Sequence, residues 1–203
     1  MRALRTFAKP LAALPLIALG LTGVPLTPAQ VSPASGYART ETAIEYNYVR
    51  SNAPPGDCTC FSLNGGAVNF AYYLKPQHFA LVADLSVTTG SGISSSNYGL
   101  TLTSLTFGAR YRSRLGHTGL YPFGQVLAGF AHASGSLASG QNPAASNASA
   151  AFAANTGGGV DLRIRPKFFL RLLDADYFVT AFDNGGNNHQ NNLRIGAGIV
   201  LRF

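Results

Sequence analysis

The stretch LRIGAGIVLRF, Leu193–Phe203, alternates apolar side chains with charged or small ones along almost its whole length. Neighbouring side chains of a β-strand point to opposite faces, so this pattern predicts a strand with one apolar face. Arg194 and Arg202 fall on the opposite face. The apolar row consists of Leu193, Ile195, Ala197, Ile199, Leu201 and Phe203.

The same alternation recurs upstream and predicts eight strands in all. The fifth is the least decisive, because both of its faces are apolar or small. The upstream half of the fourth, with Leu100 and Leu102, has the opposite parity, which predicts a β-bulge there. The predicted strands are Thr40–Arg50, Phe61–Leu74, Phe79–Thr89, Gly99–Arg112, Leu120–Ser134, Ala151–Ile164, Phe168–Phe182 and Leu193–Phe203.

Long and short connections alternate between these strands, with lengths of 10, 4, 9, 7, 16, 3 and 10 residues. A transmembrane barrel has this arrangement, because its loops on one side of the membrane are long and its turns on the other side are short. We therefore predict an all-β fold, an eight-stranded antiparallel up-and-down transmembrane β-barrel. The long loops are Ser51–Cys60, Gly90–Tyr98, Gly135–Ala150 and Asp183–Asn192.

The composition agrees with a surface that meets lipid. Hydrophobic residues make up 46% of the 203-residue chain and charged residues only 11%, whereas soluble domains carry about 25% charged residues. In lipid every backbone N–H and C=O must be paired, so the sheet must close and its apolar set must face outward. The aromatic members of that set are Tyr46, Tyr48, Phe70, Tyr72, Phe79, Phe107, Tyr111, Tyr177 and Phe203.

The N-terminus has the pattern of an export signal. Basic residues open the chain, an apolar run follows, and Thr27 and Ala29 fit the small-residue positions before a cleavage site. We predict a signal peptide over residues 1–29, a leader over 30–39 and the barrel over 40–203. Without the signal peptide, 12 basic and 8 acidic residues leave a net charge of +4 instead of +7. With no Lys/Arg cluster, this charge argues against nucleic-acid binding.

The charged residues of the predicted strands lie mostly on the face opposite the apolar set. An eight-stranded barrel is only wide enough for side chains to fill it, and an isolated buried charge is costly. We therefore predict an Arg–carboxylate network that plugs the lumen; charges near strand ends fit water at the rims equally well. The predicted network is Glu45, Asp84, Arg110, Arg112, Asp161, Arg163, Asp174, Asp176, Arg194 and Arg202.

The alternating strands and the LRIGAGIVLRF segment resemble the small eight-stranded outer-membrane β-barrels of Gram-negative bacteria, the outer-membrane protein A/X-like or "porin family" group. PFGQVLAGF (Pro122–Phe130) and NTGGGVDLRI (Asn155–Ile164) resemble the strands of this family less specifically. The resemblance covers Thr40–Phe203. It implies contact with outer-membrane lipid and recognition of the apolar row ending at Phe203 by the barrel-assembly machinery; a merely amphipathic last strand is the alternative.

Two small motifs carry chemistry. Cys58 and Cys60 lie in the first long loop, and in an oxidising compartment they form a local disulfide or remain free or intermolecular thiols. His132 and Ser134 share one strand face and resemble the His-x-Ser pair of outer-membrane lipid A deacylases. A serine nucleophile needs a base oriented by a third group, and here only Asp161 could supply that group, by cross-strand proximity.

These features predict a non-enzymatic outer-membrane protein with a structural or surface-interaction role, without cofactor or metal. The long loops would carry contacts with an extracellular ligand, but they have few of the aromatic and Arg anchors of strong protein interfaces. We expect a monomer that binds no nucleic acid. The alternatives are a narrow diffusion porin for small solutes, a lipid-modifying hydrolase, and a soluble lipocalin-like barrel with its apolar residues inside.

Overall fold

A computed structural model of the chain describes residues 39–51, 60–74, 78–93, 97–135, 150–182 and 188–203. The predicted signal peptide and nearly all of the predicted leader lie outside these ranges, so both stay predictions. Within these ranges, no helix has the length and apolar character needed to cross a membrane.

The described residues form one closed, all-antiparallel β-barrel of eight strands in sequential order. Each strand pairs with its neighbours in the chain, and β1 closes the barrel by pairing with β8, for example Thr42 with Leu201. This confirms the predicted fold class. The strands are β1 (Thr40–Ser51), β2 (Phe61–Tyr73), β3 (Phe79–Ile93), β4 (Tyr98–Arg112), β5 (Leu120–Ser134), β6 (Ala150–Arg165), β7 (Phe168–Thr180) and β8 (Gln190–Arg202).

The up-and-down order gives the barrel two different ends. We call the end with the β2–β3, β4–β5 and β6–β7 connections the turn end; Thr40 and Phe203 also lie there, hydrogen-bonded to each other through their backbones. The other four connections lie at the loop end. The predicted strict alternation of lengths is wrong at one point, because only residues 94–97 separate β3 from β4, fewer than the 113–119 between β4 and β5. β3 continues through a Gly/Ser segment, since backbone pairing does not require apolar side chains.

The predicted β-bulge in β4 is also wrong. β4 pairs with β3 without a shift from Tyr111 to Leu100, and Leu100 and Leu102 are buried in the same inward row as Ser104 and Thr106. The even-numbered residues of β4 therefore face inward along the whole strand. These inward side chains change from polar to apolar toward the loop end. The register shifts lie elsewhere, in the β3–β4 pairing beyond Gly90, in the β6–β7 pairing, and between Arg171 and Asp174 in the β7–β8 pairing.

Candidate functional site

The two faces of the barrel differ in polarity, and the lumen is the candidate site. All nine aromatic residues predicted to face lipid are exposed on the outside, together with residues such as Val126 (64% exposed) and Phe130 (69%). Every Asp and Glu among the described residues is buried inside: Glu41, Glu45, Asp84, Asp161, Asp174 and Asp176.

Arg171 holds the first group of these carboxylates. It is 0% exposed, and its Nη1 lies 2.7 Å from Glu45 Oε1 and 3.3 Å from Asp174 Oδ2. Its Nε donates to Asp161 Oδ1 at 2.9 Å. One guanidinium from β7 thereby contacts carboxylates from β1, β6 and β7, as a buried cation must if its charge is to be compensated.

Arg194 joins a second group across the barrel. Its Nη1 donates to Asp84 Oδ1 on β3 at 2.8 Å, and its Nη2 donates to Asp176 Oδ2 on β7 at 2.6 Å. Asp84 also accepts a hydrogen bond from Asn69 Nδ2 at 3.3 Å. Contacts from β8 to β3 run through the lumen, because these strands are not neighbours in the sheet.

Amide side chains complete this second group. Arg110, 1% exposed, donates to Gln125 Oε1 at 2.6 Å and to Asn69 Oδ1 at 3.0 Å. Gln125 Nε2 lies 3.1 Å from Asp176 and 3.3 Å from Asp174. These contacts form a closed ring that returns to Arg194, and Asp174 connects this ring to Arg171. The other members of the ring are Asp84, Asn69, Arg110, Gln125 and Asp176. We call the two groups together the central network.

A third charged cluster lies toward the turn end. Glu41 contacts both Arg112 and Arg202 and accepts a hydrogen bond from the Tyr73 hydroxyl at 3.1 Å. Both guanidinium groups also lie over aromatic rings: Arg112 is 4.0 Å from the centroid of Tyr73, and Arg202 is 3.4 Å from that of Phe169. Cation–π contacts of this kind strengthen once the pair is desolvated.

The loop end of the lumen is largely apolar, with a few uncharged polar side chains such as Asn155, Asn192 and Thr180 among the hydrocarbon. Side chains from many strands pack into one buried cluster, which we call the loop-side cluster. Leu63 is 0% exposed and Phe178 2%. The lumen is therefore filled with hydrocarbon here rather than with charge. The cluster comprises Val49, Phe61, Leu63, Ile93, Leu100, Leu102, Ala131, Ala153, Phe178 and Phe182.

Small residues give the large side chains room. Phe123 lies between two guanidinium groups, with Arg110 4.4 Å and Arg171 4.5 Å from its ring centroid. The ring passes so close to Gly159 that an added Cβ would lie 2.8 Å from its tip. A glycine within a strand often marks the close approach of another group, and here the missing side chain of Gly159 makes space for the Leu173 carbonyl of β7 and for the ring.

Nine of the ten residues predicted for the network are buried in the lumen. Arg163 is the exception. It is exposed near the end of β6, one residue beyond Leu162, the last residue of β6 that pairs with β5. Arg171 is absent from the predicted network, and strict alternation in β7 would place it on the outer face with Leu173 and Tyr177. The register shift between Arg171 and Asp174 leaves both Leu172 and Leu173 exposed and turns Arg171 inward.

Sequence reasoning missed other members for different reasons. Glu41 has the same parity in β1 as Glu45 but is absent from the predicted network. Gln125 was missed because β5 looked apolar on both faces, although it is the only amide in that strand. For Arg171, the signal was the pair of adjacent leucines between Arg171 and Asp174, since both charges can face inward only if the leucines bulge.

The predicted chemical motifs are not assembled. His132 and Ser134 lie on β5 near the loop end, whereas Asp161 is 1% exposed and bound to Arg171 inside the lumen. Cys60 is exposed and precedes β2; Cys58 lies outside the described residues, so the predicted disulfide stays a prediction. The described part of the chain contains no group of three His, Cys, Asp or Glu side chains suited to a metal ion.

The apolar row of β8 lies on the outside of the barrel. Leu193, Ile195, Ile199 and Leu201 are between 37% and 48% exposed, and Phe203 is 62% exposed. Ala197 is exposed in the same row. On the opposite face, Arg194 and Arg202 enter the lumen, so this strand contributes to both surfaces.

Comparison with known proteins places the fold. No protein-family model matches the chain, and no curated protein matches it significantly. The crystal structure of Neisserial surface protein A aligns with a TM-score of 0.60 at 14% identity, covering 81% of this chain and 97% of that one. The outer membrane protein OprG from Pseudomonas aeruginosa aligns with a TM-score of 0.50 at 11% identity, covering 83% and 98%. The chain has the fold of the small eight-stranded outer-membrane β-barrels.

Proposed function

We propose that the chain is an integral outer-membrane protein that holds its loops at the cell surface and whose lumen is closed to solutes. The observation that carries this proposal is the inversion of polarity: apolar side chains cover the outside, and every described carboxylate side chain lies inside. Monomeric soluble proteins rarely expose large contiguous apolar surfaces. A lipocalin-like barrel would have the opposite arrangement.

Aromatic residues near both ends support a membrane-spanning orientation. Near the loop end, the outward Tyr48 and Tyr177 hydroxyls are hydrogen-bonded to the side chains of Ser62 and Asn191. Near the turn end, Phe79 and Tyr111 pack with ring centroids 5.0 Å apart. Aromatic girdles of this kind lie at the two interfaces of outer-membrane barrels.

Cross-lumen contacts support a closed barrel rather than a narrow diffusion porin. Arg194 bridges β8 to β3, and Arg171 bridges β7 to β1, both with buried ion pairs. The loop-side cluster fills the lumen above them. A small ion would have to displace paired charges and then cross a closely packed, largely apolar cluster, where few polar groups could replace its water.

The barrel performs no reaction in this proposal. Separation of His132 and Ser134 on the outside from Asp161 inside argues against a triad of these three residues. We expect purified protein to release no fatty acid from lipid A or phospholipid, and Ser134→Ala to change nothing. Fatty-acid release by the wild type that disappears in Ser134→Ala would contradict this and support a hydrolase.

The loops and the last strand have proposed roles of their own. The loops at the loop end would contact an extracellular ligand, with the barrel remaining a monomer. The outward row of β8 would be read by the barrel-assembly machinery, and Phe203→Ala tests this against Phe107→Ala, since both rings are exposed, 62% and 53%. We expect Phe203→Ala alone to lower the folded fraction in cells while both variants refold equally in detergent. Equal folding in cells would contradict the assembly role.

Fractionation of cells tests the main proposal. The mature protein should sediment with outer membranes, resist extraction by salt and high pH, and require detergent for release. Its gel mobility should change on boiling, as the closed barrel unfolds. A mature protein released without detergent that runs as a monomer would overturn the proposal.

A further inference from the structure

Exposed positive charge is concentrated at one end of the barrel. Of the six exposed Lys and Arg side chains in the described ranges, Arg50 alone lies near the loop end. The other five lie at or next to the turn end, where no described Asp or Glu is exposed. We call these five the basic collar: Arg39, Arg114, Arg163, Arg165 and Lys167.

Backbone contacts connect the segments that carry the collar. The Arg163 N–H donates to the Gly119 carbonyl at 2.9 Å, which ties the end of β6 to the connection that carries Arg114. The Arg202 N–H donates to the Lys167 carbonyl at 2.9 Å, which ties the β6–β7 connection to β8. Arg39 precedes β1, which pairs with β8. The collar therefore follows the rim over adjacent strands.

Apolar residues accompany these cations. Ile164, between Arg163 and Arg165, is 51% exposed, and Leu115, next to Arg114, is 56% exposed. The exposed rings of Phe79 and Tyr111 lie at the same end. Exposed apolar and aromatic groups beside long cationic side chains suit the boundary between hydrocarbon and headgroups, where such side chains reach the polar layer.

We propose that the basic collar binds anionic phosphodiester headgroups of the phospholipids in the leaflet at the turn end. This inference rests on the proposed membrane embedding, which places short turns on the periplasmic side. Charge complementarity selects the ligand: five cations without an exposed carboxylate side chain favour an anionic headgroup over a zwitterionic one. The collar would thereby fix the depth of the barrel and enrich anionic phospholipid around it.

Native mass spectrometry of the detergent-purified mature protein tests this proposal. The protein is mixed with equal amounts of phosphatidylglycerol and phosphatidylethanolamine with identical acyl chains, and the retained lipids are counted. Wild type should retain phosphatidylglycerol preferentially. The triple variant Arg163→Ser, Arg165→Ser and Lys167→Ser should lower this preference by at least about tenfold, since each removed cation contributes roughly fivefold to the attraction of an anionic surface. High salt should weaken it as well.

Arg50→Ser is the matched control, because it removes an exposed cation from the other end and should leave the preference unchanged. Heat-modifiable mobility verifies that each variant is folded, and the pair Arg165→Ser and Lys167→Ser replaces the triple variant if that one does not fold. Equal retention of both lipids by wild type, or an unchanged preference in the folded variants, would overturn the proposal. The proposal would also be overturned if the protein bound purified cell-wall polymer through the collar and showed no preference between the two lipids. A barrel that needs detergent for release but shows no preference contradicts only this inference, whereas release without detergent contradicts the proposed function.

Discussion

The middle of the lumen and its loop end are both filled by side chains, but charged groups dominate in the middle and apolar groups dominate at the loop end. In the central network, Arg171 and Arg194 contact five carboxylates from four strands. In the loop-side cluster, Leu63 and Phe178 pack among other apolar side chains. Replacing a whole buried ion pair by apolar residues is often neutral or stabilising, but removing one partner leaves a buried charge and is strongly destabilising. An apolar cluster instead tolerates exchange between apolar side chains of similar volume. When a side chain is shortened, the protein loses stability in proportion to the cavity left behind.

Arg171→Met should have the largest effect, because it leaves Glu45, Asp161 and Asp174 without their shared cation. We expect a loss of about 3–5 kcal/mol in unfolding free energy, measured by urea titration in lipid vesicles. Arg50→Met, at an exposed position outside the basic collar, serves as control and should change stability by less than about 0.5 kcal/mol. Similar losses in the two variants would contradict the role assigned to Arg171.

Leu63→Ala tests the other layer. It opens a cavity in the loop-side cluster and should cost about 2–4 kcal/mol in the same titration. Leu63→Met nearly keeps the volume and should cost less than about 1.5 kcal/mol. If both substitutions cost the same, the cluster is not closely packed.

Gly159→Ala examines the fit between the central network and the strands. An added Cβ would collide with the Leu173 carbonyl of β7 and would also lie 2.8 Å from the Phe123 ring, so both the strand pairing and the ring must shift. We expect a loss of about 1–3 kcal/mol from overpacking. In Gly124→Ala the nearest atom to the new Cβ is 3.7 Å away, an ordinary contact, and stability should stay nearly unchanged. Tolerance of both alanines would mean that β6, β7 and the Phe123 ring are not packed this closely around Gly159.

A double-mutant cycle should give the smallest of these effects. Arg194→Met and Asp84→Leu remove the two ends of one cross-lumen pair, and we expect a coupling free energy of about 1 kcal/mol or more. The pair Arg194→Met and Ile93→Ala combines the two layers, with Ile93 nine residues along β3 from Asp84, and should be additive within about 0.5 kcal/mol. Additivity of the first pair would show that the central network is not energetically connected.

The sequence was sufficient for the fold class, because outward residues such as Phe107 and Leu201 had to be apolar at every second position. It was also sufficient for the inward face of most acids and arginines. The assignment of residues to the two faces failed where a bulge reversed the alternation of a strand or where inward side chains are apolar. The bulge at Leu172 and Leu173 reverses Arg171, and Leu100 and Leu102 face inward although they are apolar. Individual pairs such as Arg194 with Asp84 depend on the three-dimensional closure of β8 against β1, which alternation does not encode.

Conductance across a planar bilayer tests most directly the claim that the lumen is closed. Mature protein with verified heat-modifiable mobility is inserted at increasing amounts, with a known open porin as the positive control for insertion. The filled lumen predicts that the current stays at the level of the protein-free bilayer at moderate voltage. Regular ohmic steps whose number rises with the amount of inserted wild-type protein would contradict a closed lumen and would establish the diffusion porin instead.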